Sequence, residues 1–230
     1  TQVEMQRRKA VTALDDILDL DSIPGEITTP KPEAWISLMR EGGEQFAMAR
    51  EYEAGRIIAV AHERVLTGAN VGTFGKSDRN KGFLWRAVQW LAGPFGSGSV
   101  AIASGHCEWL PTRHAKWALP DDLVEWGYTV NEIPGAIDDA SLKDANVLIV
   151  GNAWGNLQAS EIGSIQRFVA RGGGLFAAGL GWSWKQSSAK PTFACEGHSV
   201  GQDINDMATY PMNRLGAAFD VQWTERPIGE

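Results

Sequence analysis

The sequence lacks several features that mark common functional classes. No apolar run is long enough to span a membrane, and the net charge of −7 is not offset by any basic run. These two observations argue against membrane insertion and against nucleic acid as a partner. The HExxH signature of zinc peptidases is also absent, so we do not expect that activity in this chain.

Cysteine and tyrosine are scarce. Cys107 and Cys195 lie far apart and follow neither metal-ligand nor CxxC spacing, so they form either one disulfide or two free thiols. Only 3 tyrosines stand against 10 tryptophans, which is a strong bias towards the largest flat aromatic side chain. The Gly-rich segment 93–99 precedes a predicted strand, whereas a phosphate-binding loop follows one, and we therefore expect no nucleotide and no other cofactor.

The remaining composition is that of an ordinary globular protein, with 230 residues, 43% hydrophobic and 21% charged. Residues 3–20 carry an amphipathic helical stripe, and residues 22–32 are rich in Pro, Gly and Thr. We therefore expect an N-terminal helix and linker over residues 1–30 and one α/β domain over residues 31–230. The charged N-terminal pattern is not that of a signal peptide, so we expect a mature or trimmed domain.

The stretch 146–184 predicts the central motif of the fold. Residues 147–150 and 175–178 are apolar runs of strand length, and a helical apolar face lies between them. Ser160 is a candidate N-cap, and Gly172 sits where a left-handed helix end is expected. A strand–helix–strand unit of this length is right-handed and makes parallel strands.

Other segments extend this sheet. Residues 46–52 and 56–62 predict a hairpin, and the apolar spacing of residues 84–91 predicts a helix that ends at Gly93. Residues 100–104 and 128–133 predict two strands with a short helix between them, and a helix over 208–218 precedes a last strand over 219–223. The fold class is therefore α/β, with an open, mainly parallel sheet, helices on both faces and an added antiparallel hairpin.

Polar and aromatic side chains follow several of the predicted strands. Ligands of open α/β sheets bind beyond the carboxyl ends of the strands, so these side chains are the candidate ligand-binding residues. Indole faces can stack on sugar rings, and the flanking polar groups can bind hydroxyls, which suits a glycan. Alternatively, Trp154, Trp182 and Trp184 fill core. The set comprises His62, Glu63, His106, Glu108, Trp109, Asn152, Trp154, Trp182 and Trp184.

A catalytic site and a metal site are the alternatives at this edge. Cys107 could act as a nucleophile with His114 or His62, because adjacent His106 points to the opposite face of an extended chain. It could equally be a buried small residue or a disulfide partner of Cys195. His106 and Glu108 share a face and could bind a metal with His62 or Glu63, but no spacing forces a third ligand to converge, so we expect hydrogen-bonded structural histidines instead.

Four segments carry a resemblance to a known family, and they read EAGRIIAVAHE, FLWRAVQWL, SVAIASGHCEW and FVARGGGLFAAGLGWSW. They resemble the class I glutamine amidotransferase-like (flavodoxin-like) domain. More narrowly, they are similar to the version found with enhancin-type, mucin-targeting metallopeptidases and in channel-associated factors. Active amidotransferases keep a nucleophilic Cys in a tight turn after a central strand. The corresponding turn here is AGLGW, so the resemblance places Leu180 where the thiol would be.

The resemblance therefore implies the fold while arguing against its best-known chemistry. We expect a non-catalytic accessory module of a larger secreted, cell-surface or periplasmic protein, binding a glycan or a neighbouring domain at the carboxyl edge of the sheet. The alternatives are a Cys107-dependent hydrolase or amidotransferase-type enzyme and a purely structural domain.

Overall fold

The computed structural model describes residues 2–13, 23–67, 78–95, 98–108, 119–187 and 206–229. Its strands are β1 (Gly25–Thr28), β2 (Ile36–Glu41), β3 (Glu44–Tyr52), β4 (Gly55–Val60), β5 (Ser99–Ala103), β6 (Thr129–Ile133), β7 (Val147–Gly151), β8 (Gly174–Ala178) and β9 (Gln222–Pro227). Its α-helices are α1 (Gln2–Val11), α2 (Asp78–Ala92), α3 (Leu119–Glu125), α4 (Ala159–Ala170), α5 (Gly181–Ser187) and α6 (Pro211–Ala217). Short 3-10 helices span Pro32–Ala34, Glu63–Thr67, Gly93–Phe95 and Met207–Thr209.

The main sheet confirms the predicted α/β class. In the described part of the chain its seven strands run in the order β2-β3-β4-β8-β7-β5-β6. The pairs β2/β3 and β3/β4 are antiparallel, whereas β4/β8, β8/β7, β7/β5 and β5/β6 are parallel. The predicted hairpin is therefore present as β3 and β4, and β4 also belongs to the parallel part of the sheet.

The connections wind in two directions along the sheet. The β5–α3–β6 crossover runs towards one edge, and the β7–α4–β8 crossover runs towards the other. Right-handed crossovers that run in opposite directions place their helices on opposite faces. The order β6-β5-β7-β8 matches the first four positions of the flavodoxin order 2-1-3-4-5, but β4, which precedes the other four in sequence, takes the fifth position.

A second, two-stranded sheet was not predicted. β1 pairs antiparallel with β9, and the N–H of Gly25 also donates to the Ala61 carbonyl at 2.9 Å. Residues 25–28 are therefore strand, within a segment that the sequence predicted as loop. The pairing partner lies almost 200 residues away, so no local pattern reveals it.

Several predicted helix boundaries shift. α1 ends at Val11, and residues 14–20 of the predicted first helix lie outside the described residues. α4 begins after Gln158, so the prediction of Ser160 as the N-cap is wrong. Gly172 has φ +114°, which confirms its place at the left-handed end of that helix. In the described ranges, no helix has the length and hydropathy needed to cross a bilayer.

The hairpin turn packs tightly on the second crossover. A Cβ atom at Gly55 would lie 2.1 Å from the carbonyl oxygen of Val169 in α4. Glycine is therefore required at this close approach of two backbones. The contact fixes the start of β4 against the end of α4.

Candidate functional site at the carboxyl edge of the sheet

The strand order brings the ends of four parallel strands together. Val60, Ala178 and Gly151 lie side by side at the ends of β4, β8 and β7. Predicted ligand residues follow each of these strands within four residues, and β5 next to β7 contributes the segment from His106. This is the edge at which open α/β sheets bind ligands.

A buried cluster forms around Asn152, which holds the left-handed backbone conformation at φ +54°. Its side-chain Oδ1 accepts hydrogen bonds from the Tyr210 hydroxyl at 2.5 Å and from the Trp154 indole N–H at 3.1 Å. The Tyr210 hydroxyl in turn accepts a hydrogen bond from the backbone N–H of Leu180 at 2.9 Å. These bonds connect the ends of β7 and β8 to the residue that precedes α6.

Aromatic rings close this cluster. The Trp184 ring stacks on Tyr210 with centroids 5.3 Å apart and meets Trp154 edge-on at 5.9 Å. Both arrangements are favourable geometries for aromatic pairs. Trp184 is fully buried on α5, a helix that begins at Gly181.

Glu63 and His62 lie beside this cluster in unusual protonation states. Burial raises the pKa of Glu63 to about 7, although its own backbone N–H, Arg64 and Asn152 favour the charged form. Burial, with the Arg64 charge, lowers the pKa of His62 to about 3. The Arg64 N–H donates to His62 Nδ1 at 3.1 Å, which places the imidazole proton on Nε2. The 3.6 Å contact between the two side chains is therefore not an ion pair near neutral pH.

A second buried cluster forms around His106. Its Nε2 lies 2.8 Å from Glu161 Oε1, and its Nδ1 lies 3.6 Å from Glu108 Oε1. Burial lowers the pKa of His106, but the hydrogen bonds and charges of Glu108 and Glu161 outweigh that effect, and the pKa is raised. Glu161 also accepts hydrogen bonds from the N–H groups of Ile137 and Gln158. This cluster ties the segment after β5 to the start of α4.

Glu161 and Tyr210 belong to these clusters but were not among the predicted ligand residues. Glu161 sits three residues after the N-cap Gln158 and accepts that residue's backbone N–H, as the acid of a capping box does. That spacing was a usable signal, and the assignment of Ser160 as the cap concealed it. Tyr210 comes from a distant segment and had no local signal.

The crevice between β5 and β7, where the strand order reverses, is closed by backbone contacts. The His106 carbonyl accepts hydrogen bonds from the N–H groups of Trp154, at 3.0 Å, and Gly155, at 2.6 Å. A Cβ atom at Gly155 would lie 3.0 Å from the His106 carbonyl, so the two segments touch. The position where doubly wound sheets bind ligands is thus occupied by the chain itself.

Most predicted ligand residues are buried. Seven of the nine are less than 5% exposed, and among the described members only Trp182 is partly exposed. Trp109 lies outside the described residues. Cavities of about 380, 600 and 620 Å³ open elsewhere, and none of the eight described members of the set lines them. The buried members are His62, Glu63, His106, Glu108, Asn152, Trp154 and Trp184.

Trp182 differs from its neighbours because it lies on the outer side of α5. Its indole N–H donates to the carbonyl of Ile23 at 3.2 Å, and Ile23 is itself exposed. Lys185, one turn later on the same helix, pairs with Glu225 of β9. These four residues form an accessible patch beside the carboxyl edge.

Cys107 is disulfide-bonded and has φ +55°. A sulfur in a disulfide carries no thiolate, so it cannot attack a carbonyl in this state. Composition leaves Cys195 as its only possible partner within the chain, and Cys195 and His114 both lie outside the described residues. In the part of the chain that the structure describes, no group of three or more His, Cys, Asp or Glu side chains is placed to hold a metal ion.

Comparisons with known proteins find structural neighbours of this chain. No family model and no curated protein matches the chain. It is similar to solved structures of the IMPa metallopeptidase from Pseudomonas aeruginosa, with a TM-score of 0.59 at 19% identity over 97% of this chain. The complex of that protein with an O-glycopeptide gives a TM-score of 0.57 at 18% sequence identity, and the complex with T-antigen gives a TM-score of 0.58 at 19% identity. In each case the chain spans 22% of the neighbour's length, and at these identities the likeness shows the fold alone.

Proposed function

We propose that this chain is a non-catalytic accessory module of a larger protein, which binds a glycan or a protein partner at the carboxyl edge of its sheet. One observation carries the proposal. In the described residues, the acids and imidazoles at this edge are buried and are bonded to protein groups. A general acid, base or nucleophile must come within hydrogen-bond reach of its substrate, and these groups have no access to one.

The residue at the expected position of the nucleophile also supports a non-catalytic module. In the amidotransferase-like resemblance the thiol would follow β8, and here Leu180 occupies that place with its side chain buried. Its backbone N–H is bound to Tyr210. A hydrocarbon side chain has no lone pair with which to attack a carbonyl.

The comparison supports membership of a larger protein. Nearly the whole chain superimposes on about a fifth of a metallopeptidase, so an equivalent unit exists there alongside much additional chain. The HExxH signature is absent from this sequence, so we assign peptidase chemistry to a different part of such a protein. We further propose that the protein acts outside the cell, as a secreted, cell-surface or periplasmic protein.

A neutral mucin-type glycan is the ligand that we propose for the accessible edge. The partly exposed indole of Trp182 can stack on the C–H face of a sugar, and the Lys185–Glu225 pair beside it can bind hydroxyl groups. Two of the structural neighbours were solved with an O-glycopeptide or with T-antigen, which makes these glycans the first probes to use.

Binding is tested on an array of mucin-type glycans with the wild-type chain, Trp182→Ala and Trp85→Ala. Trp85 is the matched control because it is 39% exposed on α2. We expect binding by the wild type and the control and loss of binding by Trp182→Ala. If the wild type binds no glycan, the domain acts through a protein contact or has a purely structural role.

Catalysis is tested separately by mass spectrometry after incubation of the chain with glutamine and with an O-glycopeptide. We expect neither hydrolysis nor transfer above the buffer rate. A product that forms with the wild type and disappears with Glu63→Gln or His106→Gln would contradict the non-catalytic proposal.

A further inference from the structure

A groove that shares no residue with the proposed carboxyl-edge site has the composition of a small polar ligand site. It lies between β1 of the small sheet and strands β2 and β3 of the main sheet, and its volume is about 380 Å³. Sites for small molecules span about 300 to 1,000 Å³, so the groove has room for one or two sugar units. Its lining includes Glu26, Thr28, Trp35, Ser37, Glu44 and Gln45.

One wall presents hydrogen-bond acceptors whose positions are fixed. Ser37 Oγ donates to Gln45 Oε1 at 2.7 Å, and Gln45 Nε2 donates to the carbonyls of Met39, at 2.9 Å, and Ala47. Both amide protons of Gln45 are thereby used. The remaining lone pairs of Ser37 Oγ and Gln45 Oε1 can still accept from a ligand.

Two carboxylates of the lining are also held in place. Glu26 accepts a hydrogen bond from the Thr224 hydroxyl at 3.0 Å and lies 3.5 Å from an Arg226 nitrogen. Arg226 bonds to Glu44 as well, so one guanidinium orients both acids. Oriented carboxylates accept hydrogen bonds from hydroxyl groups without the entropic cost of ordering a free side chain.

The floor of the groove is apolar. Ile27, Trp35 and Met48 line it, and each is more than 90% buried, which leaves small apolar surfaces facing the groove. The Trp35 indole N–H has no hydrogen-bond partner, which is unusual for a buried polar group. The Arg50 guanidinium lies 5.9 Å from the Trp35 ring centroid and helps to hold the ring in place.

We propose that this groove binds a neutral sugar unit, such as a hexose or an N-acetylhexosamine. Sugar hydroxyls are numerous donors that match the acceptor-rich wall, and the C–H face of the ring matches the apolar floor. The lining contains three carboxylates and one arginine, and these carboxylates still outnumber the guanidinium groups when Arg226 is counted, so the groove disfavours anionic sugars. This site does not rest on the function proposed for the carboxyl edge, because the two share no residue.

The test is an NMR titration of the full 230-residue chain with methyl galactoside and with N-acetylgalactosamine. Thr28→Trp fills the groove from an exposed position, and Thr129→Trp places the same residue at an exposed position on β6. We expect shifts in β1, β2 and β3, with a dissociation constant on the order of 1 mM. Thr28→Trp should weaken binding at least about tenfold, whereas Thr129→Trp and Trp182→Ala should leave it unchanged.

A second variant keeps the proposal testable if Thr28→Trp fails to fold. Glu44→Gln should weaken sugar binding by at least about threefold, while Glu41→Gln, its exposed cross-strand neighbour outside the lining, should not. The proposal is overturned if neither sugar shifts the groove residues at concentrations up to about 50 mM. Binding that survives Thr28→Trp, or binding of 1,4-diaminobutane or N-acetylneuraminic acid in preference to the neutral sugars, overturns it as well.

Discussion

The backbone N–H of Leu180 donates a hydrogen bond to the Tyr210 hydroxyl at 2.9 Å, and both residues are buried. The same hydroxyl donates to Asn152. The turn in which the amidotransferase-like resemblance would place a reactive thiol is therefore held by a tyrosine from a distant segment. We therefore expect the Tyr210 hydroxyl to stabilise both this turn and the folded domain.

Tyr210→Phe should destabilise the domain by about 1–3 kcal/mol, because it removes the acceptor of a buried N–H and a donor to Asn152. Urea denaturation measures the free energy of unfolding. Tyr128→Phe is the matched control, since the Tyr128 hydroxyl is buried and has no hydrogen-bond partner. Removal of that hydroxyl should leave the free energy of unfolding almost unchanged. Equal effects of the two substitutions would show that the Tyr210 bonds contribute nothing specific.

Glu63 should make the domain less stable as the pH rises. Its pKa is raised from 4.5 to about 7, so the folded state holds a proton that the unfolded state has released across that window. The stability that this group contributes therefore decreases as the pH rises from 4.5 to about 7, by at most about 1.4 kcal/mol per pH unit. Above that range it changes no further. Denaturation of Glu63→Gln should lack this slope, so its advantage over the wild type should grow with pH. An advantage that stays constant with pH would contradict the raised pKa.

His106 should affect the stability of the domain over a different pH range. Its pKa is raised above 6.5 by Glu108 and Glu161 against the effect of burial. A raised histidine pKa gives stability that is fully present below the unfolded value and is lost as the pH rises through the folded value. The free energy lost in His106→Gln should therefore be greater at a pH of about 5.5 than at a pH of about 9. NMR titration of the His106 ring protons measures this pKa independently, and a value below 6.5 would show that the pKa is not raised.

The disulfide of Cys107 should support stability rather than chemistry. Alkylation of the unreduced protein should leave Cys107 unmodified, and reduction should cost about 2–5 kcal/mol of unfolding free energy. The Cys107→Ser variant is the control, because the reductant should have no further effect on it. Rapid alkylation without reductant would restore the thiol-dependent enzyme as a competing account.

The central fold was predictable because its signals are local. Apolar runs of strand length, a helical apolar face and a glycine at a left-handed position define the β7–α4–β8 unit without help from distant residues. β1 and α5 were not predictable in the same way. β1 has four residues and pairs with the far end of the chain, and α5 has seven, too few for a helical pattern to stand out.

The candidate site was predictable only in part. Parallel strand order explains why His62, His106 and Asn152 approach one edge. Whether these side chains face solvent depends on residues that come from elsewhere in the chain. Tyr210 bonds to Asn152, and Glu161 bonds to His106, so both strand-end side chains are held by residues from other segments. Burial of this kind follows from tertiary contacts and leaves no signal at the strand ends themselves.

The proposed binding edge can be tested by NMR of the tryptophan indole N–H groups during titration with a T-antigen O-glycopeptide. We expect the Trp182 signal to move in proportion to bound ligand while the Trp154 and Trp184 signals stay in place, because Trp154 and Trp184 are buried behind a closed edge. Movement of the Trp154 and Trp184 signals, or the absence of any indole shift, would contradict it.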